Sequence, residues 1–196
     1  MLQLAVFLGN PGTKYKNNRH NAAWMLAEAL PFYSSLDWQK KFKGLYATND
    51  GFHFLKPQTF MNLSGESALA AASFYKIKLE EIIVIHDEIE LPFGTLSLKF
   101  SGGMGGHNGL RSMKASFGSV DFWRLRIGIG RPDGRLPGKG GNPESSLAAN
   151  IADWVLNDFT QPETESLVPV FAAGAELLSR AFAVDPQSLL PEWAKK

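Results

Sequence analysis

Three of the four histidines in this 196-residue chain lie beside an Asn or Asp, each just past an apolar, strand-like run. The pairs are His20-Asn21, His86-Asp87 and His107-Asn108. Strand ends bordered by Gly-rich turns are where α/β proteins gather polar side chains around a pocket. Because histidine exchanges protons near neutral pH, the pattern indicates a hydrolase that activates water.

The residues alone leave the choice of base open. A histidine base needs a carboxylate that fixes its tautomer and stabilises the imidazolium. His20 oriented by Asp87 is one pairing, and His86 and His107 compete as bases. His86 ends a predicted buried strand, where a hydrogen-bonded core histidine is the more frequent outcome. Asp87 could also be part of an acidic strand-end cap without a catalytic role.

Three asparagines could supply uncharged donors to a developing oxyanion. Asn10, Asn62 and Asn108 each follow an apolar run and border glycine or serine. The ordinary alternative is a turn or a helix cap, and Asn62 could simply cap the helix predicted from Ser64. Taken singly, each asparagine is more often structural.

Several other chemistries have no motif here. The chain has no cysteine, no G-x-S-x-G elbow, no Walker or G-x-G-x-x-G loop and no H-E-x-x-H pair. Three histidines on three loops could bind zinc, but no tight ligand spacing supports that site. We therefore expect no metal and no cofactor.

The net charge of +1 hides a local basic block. Residues 99–139 carry eight basic side chains against two acidic ones, a balance of +6. Such a block is typical of a protein that binds a phosphate backbone, and equally of a solvated face. No apolar run approaches the ~20 residues of a membrane span, and the N-terminus lacks a signal-peptide pattern. We expect a cytoplasmic protein that binds no membrane.

Hydrophobic periodicity predicts strands alternating with helices. The predicted strands are Leu2–Leu8, Gly44–Thr48, Phe52–Lys56, Glu81–His86, Thr95–Phe100 and Phe122–Ile129, and the predicted helices are Asn21–Leu30, Ser64–Tyr75, Leu110–Phe117, Ala148–Phe159 and Glu163–Phe182. The Asp-Gly hairpin after Thr48 indicates a mixed sheet. The fold class is α/β: a single domain, 1–196, with a mixed twisted sheet flanked by helices and a mobile loop at 132–150.

Five segments resemble, in order and spacing, the motifs of bacterial-type peptidyl-tRNA hydrolase. They are LGNPGTKYKNNRHN, KPQTFMNLSG, IHDEIELPFG, GGMGGHNGLRS and FWRLRIGIGRP. The resemblance covers about Leu4 to Pro132 and resumes more weakly around Ile151–Phe159. It implies hydrolysis of the ester between a peptide and the 3′ ribose of tRNA, which recycles tRNA released from stalled ribosomes. The implied partner is peptidyl-tRNA, bound at its acceptor stem and peptide, and the implied state is a monomer.

The resemblance also implies roles for individual residues. The catalytic set is His20 as the base on water, Asp87 as its partner and Asn108 as the holder of the water or oxyanion. The substrate-binding set is Asn10 and Asn62 as positioning amides, Met61 along the peptide channel, Tyr15 near the crevice, and Lys99 and Arg126 on the tRNA phosphate. Weaker candidates for the phosphate are Arg111 and Arg135.

Three departures from the family pattern stand out. Asn18 occupies the position where the family usually has Thr, and the residue type alone does not say how it packs beside His20. The usual small residue after His-Asn is matched only by Ala22-Ala23, without glycine. The Gly/Pro-rich segment 132–150 is longer than typical and could adjust RNA contact or act only as a spacer. A non-catalytic RNA-binding module of the same fold is the rival hypothesis, and a metal-dependent peptidase of similar architecture is a third.

Overall fold

The computed structural model describes residues 1–132 and 145–194, with residues 145–150 described by their backbone only. The strands are β1 (Leu4–Phe7), β2 (Gln39–Lys41), β3 (Gly44–Asn49), β4 (Phe52–Pro57), β5 (Ile82–Glu88), β6 (Leu96–Phe100) and β7 (Trp123–Gly128). The helices are α1 (Ala22–Glu28), α2 (Ser64–Tyr75), α3 (Asn108–Phe117), α4 (Ser145–Leu156), α5 (Gln161–Ala183) and α6 (Leu190–Trp193).

All of these strands form one sheet in the order β2-β3-β4-β1-β5-β7-β6. The central strands β4, β1, β5 and β7 are parallel, whereas β2 and β3 at one edge and β6 at the other are antiparallel to their neighbours. The predicted mixed sheet is therefore confirmed. Its central parallel strands bring their carboxyl ends to one edge, where α/β proteins bind ligands.

The predicted Asp-Gly hairpin joins β3 and β4. Asp50 and Gly51 both have positive φ, 50° and 82°, as a two-residue type I′ turn requires. The turn sets the antiparallel register that pairs Asn49 with Phe52 and Gly44 with Pro57. The hairpin thereby delivers the end of β4 beside β1, next to the segment that begins at Met61.

Helices cover both faces of the sheet. One core cluster packs the first face against α1 and α5, and includes Leu26, Ile85 and Leu178. The other packs the second face against α2 and α3, and includes Val84 and Leu110. Burying both faces explains the almost uninterrupted apolar run of β5. The predicted α/β fold, a mixed sheet flanked by helices, is confirmed.

Helix α5 is a core helix. It is 23 residues long, and by length and composition alone it could span a bilayer. The absence of a long uninterrupted apolar run in the sequence did not predict such a helix. In the structure its residues Leu167, Phe171 and Leu178 are buried against the sheet face that α1 also covers. The helix begins with a capping box in which Thr160 and Glu163 bond reciprocally.

Some boundaries differ from the prediction. Strand β2 was missed because Gln39–Lys41 has no apolar pattern, and only its pairing with β3 makes it a strand. Helix α3 begins at Asn108 rather than Leu110. The predicted mobile loop at 132–150 falls mainly on residues 133–144, outside the described residues, while its end from Ser145 belongs to α4, since Leu and Ala are strong helix formers.

Candidate active site

Three segments converge at the carboxyl ends of the parallel strands. His20 lies on a short 3₁₀ turn directly before α1, Asp87 is near the end of β5, and His107 directly precedes α3. All three side chains line one cavity of about 380 Å³. The topology therefore brings together residues 67 positions apart, as the strand-end argument predicts.

Asp87 hydrogen-bonds both of these histidines. Nδ1 of His20 lies 2.8 Å from Oδ1 and 2.9 Å from Oδ2 of Asp87, and Nε2 of His107 lies 3.0 Å from Oδ1. The imidazole rings of His20 and His107 are 4.8 Å apart between centroids. With Nδ1 engaged, Nε2 of His20 is the nitrogen left for a molecule in the cavity. This is the arrangement of a histidine base oriented by a carboxylate.

Burial and this pairing together set the electrostatics of the site. Burial alone would lower the pKa of His20, but the charge of Asp87 and its hydrogen bond raise that pKa above the ordinary value. Burial also opposes ionisation of Asp87, yet attraction to His20 and His107 and their hydrogen bonds hold its pKa far below the usual range. Asp87 is thus a persistent carboxylate that supports a protonatable His20.

His86 is a buried core group that hydrogen-bonds through one ring nitrogen, whereas its Nε2 has no hydrogen-bond partner among the described residues. Its side chain is buried and its Nδ1 donates to the backbone carbonyl oxygen of Asp87 over 2.7 Å. Burial keeps the pKa of His86 well below its ordinary value. A neutral His86 adds no positive charge beside Asp87, so it does not compete with His20 for the carboxylate.

Helix α3 and helix α4 form the walls of the cavity. Asn108 and Arg111, in the first turn of α3, lie on one side. Ile151, Ala152 and Val155 of α4 give the opposite side an apolar surface. Asn108 is exposed and lines the same cavity as His20 and Asp87.

Asn10 and Met61, two of the expected substrate-binding residues, are hydrogen-bonded to each other. Oδ1 of Asn10 accepts a hydrogen bond from the backbone N–H of Met61 over 2.9 Å. Asn21, fully buried next to His20, bonds both backbone polar groups of Asn10 through its own amide, over 2.9 and 3.0 Å. Met61 is buried and packs on Gly109, where a side chain would collide with the Met61 sulfur. Neither Asn10 nor Met61 lines the cavity that holds His20.

Two other expected site residues lie outside the cavity. Asn62 is exposed on the 3₁₀ turn that follows β4, and Tyr15 is half-buried on the turn after β1, with the Lys14 ammonium 4.7 Å from its ring centre. Neither lines the cavity that holds His20. Their expected contacts with substrate remain predictions from the resemblance.

The basic block divides into two groups in the structure. Lys99 on β6 pairs with Arg124 on β7, and Ser97 pairs with Arg126, so paired side chains share one face of the sheet. Because Arg126 lies two residues after Arg124, Lys99 and Arg126 point to the same face. Lys99 is exposed, and Arg126 donates to Ser97 Oγ over 2.8 Å. By contrast, Arg124 is buried and bonds loop carbonyl oxygens, and Arg131 pairs with Glu90. Arg135 lies outside the described residues.

Arg19, the residue before His20, is buried and makes contacts that the sequence did not predict. The Arg19 guanidinium bonds both carboxylate oxygens of Glu163 over 2.8 and 3.0 Å and stacks 3.7 Å from the Trp154 ring centre. Asn18 donates from its side chain to the carbonyl oxygen of Leu156 at the end of α4. The residue that replaces the usual Thr therefore holds α4 and does not bond His20. The only sequence signal was adjacency to the histidine.

The cluster of His20, Asp87 and His107 has the residue types of a metal site. Their nitrogen and oxygen atoms lie within 4.8 Å of one another, which is compatible with ligands of one ion. Hydrogen bonds join His20 and His107 to Asp87 in the structure, an arrangement that also suits proton transfer.

The fold and this site define an α/β protein of the hydrolase class, with a histidine–aspartate pair open to a cavity. Comparison with known proteins specifies the family. The model of the peptidyl-tRNA hydrolase family matches residues 4–195. The chain belongs to the peptidyl-tRNA hydrolase family.

Individual relatives agree along nearly the whole chain. A peptidyl-tRNA hydrolase of Treponema pallidum is 44% identical over 205 residues, covering 100% of this chain and 96% of the relative. One of Citrifermentans bemidjiense is 41% identical over 181 residues, covering 90% and 89%. The crystal structure of peptidyl-tRNA hydrolase from Acinetobacter baumannii matches with a TM-score of 0.78 at 29% identity, covering 100% and 97%.

Proposed function

We propose that this protein hydrolyses the ester bond between a peptide, or an N-acylated amino acid, and the 3′ ribose of tRNA. The observation that carries the proposal is the His20–Asp87 pair, which lines the cavity in a chain that belongs to this family. In this proposal the product is free tRNA, the enzyme acts in the cytoplasm as a monomer, and it requires no metal.

In the proposed mechanism, Nε2 of neutral His20 takes a proton from water while the water attacks the ester carbonyl carbon. Asp87 holds Nδ1–H and stabilises the imidazolium that forms. Asn108 donates to the oxygen that becomes negative, and the protonated His20 returns the proton to the leaving ribose oxygen. An ester is activated enough for these steps to proceed without a covalent intermediate.

The tRNA would be positioned by charge. Lys99 and Arg126, on one face of β6–β7, would contact phosphate, which orients a nucleic acid without reading its sequence. Beyond the cavity that holds His20, Asn10 and Asn62 would position the peptide through amide contacts. Met61 would line the peptide channel, and Tyr15 would lie near the same channel. Amide contacts to the peptide backbone do not select for particular peptide side chains. Phosphate contacts suit an enzyme that accepts many tRNAs.

The test is release of labelled amino acid from N-acyl-aminoacyl-tRNA and from free aminoacyl-tRNA, each with and without a chelator. We expect release from the N-acylated substrate alone, unchanged by chelator. His20→Ala should lose hydrolysis while keeping its fold and tRNA binding. His53→Gln is the control, because His53 lies at the opposite end of the parallel strands, paired with Leu4. Near-normal turnover by His20→Ala would overturn the mechanism, and loss of activity with chelator would favour the peptidase-like alternative.

A further inference from the structure

His107 has two hydrogen-bonded nitrogens with different kinds of partner. Its Nδ1 lies 3.1 Å from the backbone N–H of Gly109 and 3.4 Å from that of Leu110, and both of those groups can only donate. Nδ1 is therefore an acceptor, and the ring proton is on Nε2. That Nε2–H points at Oδ1 of Asp87 over 3.0 Å.

The start of α3 thus determines which tautomer His107 adopts. As the residue that caps the helix, His107 satisfies two N–H groups that would otherwise have no intrahelical partner. Gly109 permits this close arrangement, because a side chain there would contact Met61, Leu8 and the His107 ring itself. A second contact holds the ring from the strand side, where His86 packs edge-on with centroids 5.1 Å apart.

We propose that His107 is a positioning residue for the reaction: its Nε2–H fixes Oδ1 of Asp87 so that the carboxylate holds His20 in the orientation that catalysis needs. The proposal rests on the proposed function. It assigns to His107 a role through Asp87, not a contact with substrate. Oδ1 of Asp87 accepts a hydrogen bond from each of the two histidines, and Oδ2 also contacts Nδ1 of His20. Two side chains therefore hold the carboxylate in place.

The second donor also moderates the pull of Asp87 on His20. A carboxylate that accepts two N–H groups shares its charge between them, whereas one that faces His20 alone favours the imidazolium more strongly. Other charged and titratable groups of the described residues lie around the His20–Asp87 pair. They are His86 and Glu88 on β5, His107 directly before α3 and Arg111 on α3. The described α4 residues on the cavity are uncharged.

Two substitutions separate the two hydrogen bonds of His107. Asn places its amide oxygen near the Nδ1 position and can keep the helix cap, but it is too short to reach Asp87. Gln places its amide nitrogen near the Nε2 position and can keep the donor to Asp87, but it gives up the cap. A purely structural His107 would tolerate His107→Asn and suffer from His107→Gln, whereas a positioning His107 gives the opposite order for catalysis.

The experiment measures kcat, KM and the pH profile with N-acyl-aminoacyl-tRNA, alongside an NMR titration of the His20 ring. We expect His107→Asn to lower kcat by about 10- to 100-fold with KM nearly unchanged, as for loss of one hydrogen bond to a charged group. The His20 titration and the acidic limb of kcat/KM should both move to higher pH. His107→Gln should retain most of kcat and keep the wild-type limb, even if its melting temperature falls.

Wild-type kcat and pH profile in His107→Asn would overturn the proposal. So would a folded His107→Gln that loses kcat, which keeps the test decisive even if the Asn variant does not fold. Absence of hydrolysis by the wild-type protein would instead refute the proposed function. In that case the NMR titration still tests whether His107 acts on the His20–Asp87 pair.

Discussion

The guanidinium of Arg19 lies 3.7 Å from the ring centre of Trp154, so the residue before His20 is stacked on helix α4. The same group bonds the carboxylate of Glu163 and the carbonyl oxygens of Asn157 and Asp158. One buried cation therefore ties the turn that carries the proposed base to α4, whose side chains form a wall of the cavity, and to the start of α5.

Replacing this cation should cost both stability and activity. Arg19→Met should lower the free energy of unfolding by about 2 kcal/mol, since the partly exposed Glu163 loses its charged hydrogen-bond partner and a cation–π contact is lost. kcat should fall at least about tenfold because the His20 turn is less well held. Urea denaturation and steady-state kinetics measure these effects. Arg180→Gln, which breaks an exposed pair with Glu192, is the control and should barely change either quantity.

The amide of Asn21 should be needed to hold Asn10. Asn21→Ala leaves the N–H and C=O of Asn10 buried without their partners, at about 1–3 kcal/mol for each group. The loop after β1 should then shift, raising KM and lowering kcat together. Thermal unfolding and kinetics test this, with Asn49→Ala in the exposed hairpin as the matched control. Wild-type kinetics in Asn21→Ala would show that Asn10 does not depend on this clamp.

The pH profile should report the raised pKa of His20. The base must be neutral to take a proton, and its raised pKa keeps it protonated to higher pH. After subtraction of uncatalysed hydrolysis, kcat/KM should therefore rise with pH and reach half its plateau above about 6.5, the ordinary histidine value.

The matched variant for that profile is Asp87→Asn. It removes the charge that raises the pKa of His20, so burial dominates and the acidic limb should move to lower pH, with kcat reduced by as much as about 10⁴-fold. If the acidic limb of the wild-type kcat/KM profile lies at or below pH 6.5 and does not move in Asp87→Asn, then Asp87 does not raise the pKa of His20.

The face of β6–β7 should govern the salt dependence of tRNA binding. Lys99→Ala and Arg126→Ala should each weaken binding, with little effect of tRNA sequence, and each should reduce the slope of log K against log salt by about 1. Lys40→Ala is the control, because Lys40 lies on β2, the opposite edge of the sheet. An unchanged slope in both variants would place the phosphate contacts elsewhere on the protein.

Local patterns were enough to predict most of the fold. The predicted helix Ser64–Tyr75 has the observed bounds, and the Asp-Gly hairpin has the expected positive φ values. Periodicity and turn chemistry are properties of neighbouring residues, so one sequence reports them. Strand β2 depends on its pairing with strand β3, and the local pattern of Gln39–Lys41 does not contain that partner.

The sequence by itself determined the candidate residues, the α/β class and the family resemblance, because these depend on residue types and their order. The tertiary structure decided how those residues are used. It gave Asp87 two histidines, placed His86 in the core, and turned Arg124 inward from the basic block. The reason is physical: burial and hydrogen-bond partners are set by the packing of segments far apart in the chain, and they decide which of several similar side chains can transfer a proton or face a phosphate.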